Sequence, residues 1–196
     1  MEPDQGSDPE MAGLKNSRWW TLANGLTSLR IVVAWPLYHS IDIDAWWVAC
    51  ALFWFAVATD LIDGPVARAR DESSALGGLL DHSCDAILVT SGLLALSNSG
   101  EVPGILPYLV GAAFFQYVLD SKALAGQPLR ASALGRWNGV FYFFPIGMTV
   151  TRESLGFEFP GADLVLFIGW VLVASTLISM SDRAFALFKT QLNARR

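Results

Sequence analysis

The chain has 196 residues, of which 53% are hydrophobic and only 16% charged, with a formal net charge of −5. That is too apolar for an ordinary water-soluble domain, and no basic patch of the kind that binds nucleic acid stands out. Two cysteines, Cys50 and Cys84, with no metal-type spacing between them, point to buried thiols rather than a disulfide framework.

In chain order, residues 1–12 read as a disordered leader. Glu2, Asp4, Asp8 and Glu10 fall among Pro, Gly and Ser, with neither the basic start nor the apolar core of a signal peptide. Residues 13–196 read as one domain, with no internal repeat. Six apolar runs of roughly membrane-spanning length follow, at about 28–43, 45–63, 75–97, 103–122, 137–153 and 161–181. Pro36 lies inside the first, and Trp19/Trp20 and Trp46/Trp47 fall near span ends, where indole rings anchor at an interface. The expected fold is therefore all-α and polytopic, with six transmembrane helices.

The charges give an independent orientation. Of 13 basic residues, all but Arg152 fall at or before the first span, in the second and fourth connections, or after the sixth span. An excess of Lys and Arg marks the cytoplasmic side, so both termini are expected there, as an even number of spans requires.

Between the second and third runs the chain reads D-L-I-D-G-P-V-A-R-A-R-D-E-S-S-A-L-G-G-L-L-D-H-S-C-D, from Asp60 to Asp85. Asp60/Asp63 and Asp81/Asp85 are spaced by three and four, so each pair shares a helix face. At 1.5 Å per residue, Asp81 and Asp85 stand roughly 9 and 15 Å above a helix start near Ala75. If the two helices pack side by side, the pairs face each other across a cavity near the cytoplasmic surface. Carboxylates in an apolar span are costly and call for a cation. Hard oxygen ligands suit Mg²⁺, Mn²⁺ or Ca²⁺, and two such ions can clamp a pyrophosphate. Gly64 and Gly77 would allow a nucleotide close to the backbone, and Arg68 could grip a phosphate oxygen.

These residues form the pattern D-x2-D-G-x2-A-R-x8-G-x3-D-x3-D, which resembles the signature of the CDP-alcohol phosphotransferases (CDP-alcohol phosphatidyltransferases) at every fixed position. In size the chain is similar to bacterial phosphatidylglycerophosphate synthase-like members. The run N-G-L-T-S-L-R, Asn24 to Arg30, is similar to an N-x-L-T-x-x-R opening seen in bacterial phosphatidyltransferases. The resemblance implies an inner-membrane enzyme of phospholipid synthesis that transfers a phosphatidyl group from CDP-diacylglycerol to an alcohol and releases CMP. It implies Asp60, Asp63, Asp81 and Asp85 as ligands of Mg²⁺ or Mn²⁺, two ions in all, with Asp85 also the general base. Gly64, Ala67, Arg68 and Gly77 would line the CDP pocket, and Asn24, Thr27 and Arg30 would join the nucleotide or lipid site. It further implies a homodimer.

The second aspartate pair departs from the phosphatidylglycerophosphate synthases, which read L-D-P-x-A-D-K there. Leu80-Asp81-His82-Ser83-Cys84-Asp85 is similar instead to the D-H-G-C-D of choline and ethanolamine phosphotransferases, which join a CDP-aminoalcohol to diacylglycerol. Both donors stay open on the sequence. Arg130 or Arg136 could supply the cation that the absent lysine leaves wanting at a phosphorylated acceptor. His82, rotated about 100° from Asp81, is expected to pack at a helix interface rather than to ligate. A divalent-cation transporter is the alternative of another class, but the outer halves of the spans lack matching acidic residues for an exit path.

Overall fold

The computed structural model describes residues 22–69, 75–120 and 133–194. The acidic leader and Arg130 lie outside these residues. Seven α-helices and no strand are seen among the described residues: α1 (Leu22–Asp42), α2 (Trp46–Ala69), α3 (Ala75–Asn98), α4 (Leu106–Asp120), α5 (Ala133–Phe141), α6 (Phe143–Leu155) and α7 (Ala162–Ala194). Two stretches, Gly77–Asn98 and Ala162–Ala186, are long and apolar enough to cross a membrane, and Trp46–Ile62 and Leu106–Leu119 are shorter apolar helices.

The fifth apolar run, expected as one span, is two helices meeting at Tyr142. Pro145 explains the break. It has no N–H for the carbonyl of Phe141, and its ring crowds that carbonyl. Tyr142 is held there by its own N–H, which donates to the Asn138 carbonyl at 3.0 Å, and by a 2.7 Å hydroxyl contact with Thr176 of α7. Pro36, by contrast, is absorbed within a continuous α1, where the Ser40 hydroxyl donates to the Pro36 carbonyl at 2.7 Å.

The core is aliphatic. Leu37 of α1, Leu88, Leu93 and Leu96 of α3, and Ile146 and Val150 of α6 are fully buried. Several close approaches depend on glycine, Gly147 and Gly169 among them. A methyl added at Gly147 of α6 would stand 2.9 Å from the Phe53 ring of α2, and one at Gly169 of α7 would stand 2.4 Å from Pro103 Cδ. The outside is apolar too: Trp35 is 70% exposed, and Trp47, Leu61, Phe115, Phe167 and Ile178 are exposed with it. Large apolar side chains on the outer surface favour a hydrocarbon surrounding over water.

The packing of the aspartate-bearing helices differs from expectation. Among the described residues, α2 and α3 scarcely touch directly; α1 packs extensively against both and joins them. Helix α3 also meets α4, α2 meets α6, and α4 and α5 lie against α7. The short connection at Ile43–Ala45 explains the α1–α2 pairing.

At the end remote from the aspartates, the buried Arg152 guanidinium ties three segments. It donates to Glu101 Oε1 at 2.6 Å, to Glu153 Oε1 at 2.8 Å and to the Pro160 carbonyl at 3.1 Å. Arg152, near the end of α6, is thus a structural clamp.

Candidate active site

Three of the four expected carboxylates converge. Ligand oxygens of Asp60 from α2 and of Asp81 and Asp85 from α3 all lie within 4.8 Å of one another. The spacing of four puts Asp81 and Asp85 on one face of α3, and α1 brings Asp60 to them. Each is partly buried, Asp85 most, at 26% side-chain exposure. Asp63 lies in α2 one turn beyond Asp60; its side chain, like those of Gly64, Ala67, Arg68 and, in α1, Asn24, lies outside the described residues. Gly77 is half-buried in the first turn of α3, and Thr27 is buried in α1.

At the centre of the three carboxylates sits Arg30. Its side chain is 0% exposed. One terminal nitrogen, Nη1, donates to Asp60 Oδ1 and lies 3.0 Å from Asp85 Oδ1, and Nη2 donates to Asp81 Oδ1. The sequence suggested Arg30 only as part of the substrate site, through the resemblance of the α1 opening. Its central place depends on α1 wedging between α2 and α3, which no local pattern encodes. The available signal was a charged residue in an otherwise apolar run.

Asp60 and Asp85 open onto a cavity of about 900 Å³ lined by α2 to α7. Asp60, His82 and Asp85 line one end, together with Arg136 of α5 and Arg183 of α7. The body is apolar, with Phe53, Val57, Val89, Phe114 and Phe143 among its walls, and Phe157 and Phe159 line its far end. A polar seam of Asn138, Tyr142 and Thr176 runs along one side, and the Ser175 hydroxyl donates to Asn138 Oδ1 at 2.6 Å.

His82 turns its ring toward α4, with its side chain 53% exposed beside the carboxylate cluster. Its ring stacks on Tyr117 of α4 at 5.5 Å, with Nδ1 3.9 Å from Asp81 Oδ2. The Arg183 guanidinium also lies over the Tyr117 ring, 5.0 Å from its centre. A buried terminal nitrogen of Arg183 has no hydrogen-bond partner among the described residues. Such a donor on a cavity wall is suited to an anionic ligand. Arg183 and Tyr117 were not singled out as site residues from the sequence, where Arg183 read as a topology-setting charge. Of the two arginines suggested for a phosphorylated acceptor, Arg136 does line the cavity.

The chemistry of this donor set fits a divalent metal. The oxygens are hard, close enough to share a cation, and already gathered around a positive group. Cys84 is buried and Cys50 half-buried, and neither is in a disulfide.

The family model described as CDP-alcohol phosphatidyltransferase matches residues 20–182. The chain is 32% identical over 122 residues to a cardiolipin synthase (CMP-forming) of Rattus norvegicus, covering 56% of this chain and 40% of that protein. It is 31% identical over 129 residues to a CDP-diacylglycerol–glycerol-3-phosphate 3-phosphatidyltransferase of Cereibacter sphaeroides, covering 60% of this chain and 58% of the relative. It is also 35% identical over 100 residues to cholinephosphotransferase 1 of Xenopus laevis, covering 49% and 25%. In each case the chain spans less than two thirds of the relative's own length.

Proposed function

The chain belongs to the CDP-alcohol phosphatidyltransferase family, and on that premise we propose that it transfers a phosphatidyl group from CDP-diacylglycerol to an alcohol, releasing CMP. The observation that carries this reading is a three-carboxylate cluster, two of whose members, Asp60 and Asp85, line a large cavity whose body is apolar. A lipid-linked nucleotide has that same polarity, a pyrophosphate head on a hydrocarbon tail.

In the reaction, the acceptor hydroxyl oxygen forms a bond to the phosphatidyl phosphorus. The bond from that phosphorus to the bridging oxygen breaks, and CMP leaves with that oxygen. The hydroxyl proton passes to Asp85, which faces the cavity and is the carboxylate assigned as general base. Asp60, Asp63, Asp81 and Asp85 would hold Mg²⁺ or Mn²⁺, two ions by family resemblance, which supply charge neutralisation at the pyrophosphate. Gly64, Ala67, Arg68 and Gly77 are assigned to the CDP moiety, and Asn24 and Thr27 to the nucleotide or lipid, on the same resemblance.

The acceptor is a phosphorylated alcohol in this reading. Arg136 and Arg183 on the cavity wall suit a phosphate-bearing acceptor, whereas diacylglycerol brings no anion for them. The name of the Cereibacter relative includes glycerol 3-phosphate. The second reading, a CDP-aminoalcohol joined to diacylglycerol, has specific support in the Asp81–Asp85 run and in the likeness to the Xenopus protein.

The enzyme works in the inner membrane with six spans, both termini and the carboxylate end of the cavity on the cytoplasmic side. The one-sided distribution of basic residues and the apolar exterior support this. A homodimer belongs to the same reading by resemblance.

The test is CMP release by the purified protein in detergent with Mn²⁺ or Mg²⁺. CDP-diacylglycerol is offered with glycerol 3-phosphate and other alcohols, and CDP-choline or CDP-ethanolamine separately with diacylglycerol. Acceptor-dependent CMP from CDP-diacylglycerol is expected. CMP from the aminoalcohol donors alone would transfer the assignment to the second reading.

A further inference from the structure

We infer that Arg30 is a built-in counter-cation that keeps the aspartate cage assembled without metal and must yield its carboxylate oxygens when a divalent cation binds. The inference rests on the reading of Asp60, Asp81 and Asp85 as metal ligands, and assigns Arg30 a role other than substrate contact.

The geometry is unusual for a structural arginine. A fully buried guanidinium from α1 engages one carboxylate of α2 and two of α3, and these are the same three residues whose oxygens cluster within 4.8 Å. Three partly buried carboxylates so close repel one another unless a positive charge lies among them. Arginine supplies a charge that does not titrate away, and its planar set of donors can serve several acceptors at once. Because α2 and α3 scarcely touch among the described residues, the α1 guanidinium is a polar link between them at this end of the bundle.

The contacts use Oδ1 of all three aspartates. A divalent cation ligated by these oxygens and a guanidinium donating to them would compete for the same lone pairs, with like charges in close proximity. Metal loading is therefore an exchange. Arg30 keeps the cage preformed at the cost of metal affinity, and is released from the carboxylates as metal enters.

The test uses the full chain in detergent, as wild type, Arg30→Met and Arg30→Lys. Free Mn²⁺ is counted by electron paramagnetic resonance, and thermal unfolding is followed in EDTA and in Mn²⁺. Removing the competing charge is expected to tighten Mn²⁺ binding by about tenfold or more. The melting temperature in EDTA should fall, and the rise on adding Mn²⁺ should exceed that of the wild type. Arg30→Lys, a point charge unable to span three acceptors, should fall between.

An arginine that merely organises the fold gives the opposite sign for metal. Mn²⁺ binding in Arg30→Met that is weaker than or equal to wild type overturns the proposal. If Arg30→Met folds only when purified with Mn²⁺, the cation has replaced the guanidinium, which supports it. If Mn²⁺ does not recover that variant and Arg30→Lys binds Mn²⁺ no tighter than wild type, the proposal fails. Absence of Mn²⁺ binding in wild type and variants alike removes the metal reading itself, and the exchange with it.

Discussion

Asp85 and Arg183 occupy the same cavity with opposite charges, and their substitutions should separate chemistry from acceptor binding. Asp85→Asn keeps the shape of the side chain but not a proton-accepting carboxylate. Its turnover in the CMP assay should fall by about a hundredfold or more, with melting temperature and donor binding largely kept. Full activity would refute the base assignment. Arg183→Gln removes a charge-assisted donor. For a phosphorylated acceptor, KM should rise by about tenfold or more with a smaller change in kcat. An unchanged KM would assign the acceptor phosphate elsewhere. His82 was legible as a packing residue because adjacent helical positions diverge by about 100°. Its partner Tyr117 was not legible, since an isolated tyrosine in an apolar run carries no signal of which helix it meets.

At the scale of helices, local chemistry was readable and pairing was not. Pro145 divides the fifth run at Tyr142 for a reason contained in the proline ring, although the sequence reading took the run as one span. Gly169, unremarkable in sequence, proves to be where α7 passes Pro103. Gly169→Ala places a methyl 2.4 Å from a rigid ring, so the helix or the loop must shift. A loss of about 1 to 3 kcal/mol is expected, read as a lower melting temperature with Mn²⁺ binding unaltered. Unchanged stability would mean that the α3–α4 loop yields freely. Helix α1 shows the limit of local reading most plainly. Its apolar run announced a helix, but not that it would lie against both α2 and α3 and carry a guanidinium to their carboxylates.

For the whole molecule, the consequences lie in the cavity and the membrane. Gly139 lines the cavity, and a side chain there would meet no atom within 4 Å at its first carbon. Gly139→Phe should therefore fold, leave Mn²⁺ binding intact and raise KM for CDP-diacylglycerol several-fold; an unaltered KM would exclude this cavity as the donor site. Orientation is checked by cysteine labelling with a membrane-impermeant maleimide. Glu158→Cys, exposed between α6 and α7, should label on intact cells, and exposed Asp182→Cys only after permeabilisation; the reverse would invert the topology. The sequence alone determined the helical class, the apolar character and the aspartate signature, because 1.5 Å rise, 3.6-residue periodicity and the cost of charge in hydrocarbon act along a single stretch of chain. Only the tertiary structure decided that α1 joins the two acidic helices, that Arg30 lies among three carboxylates, and that Tyr117 and Arg183 meet beside His82. Those contacts depend on how helix surfaces pack against one another across many intervening residues, and no repeat or spacing along the chain records that.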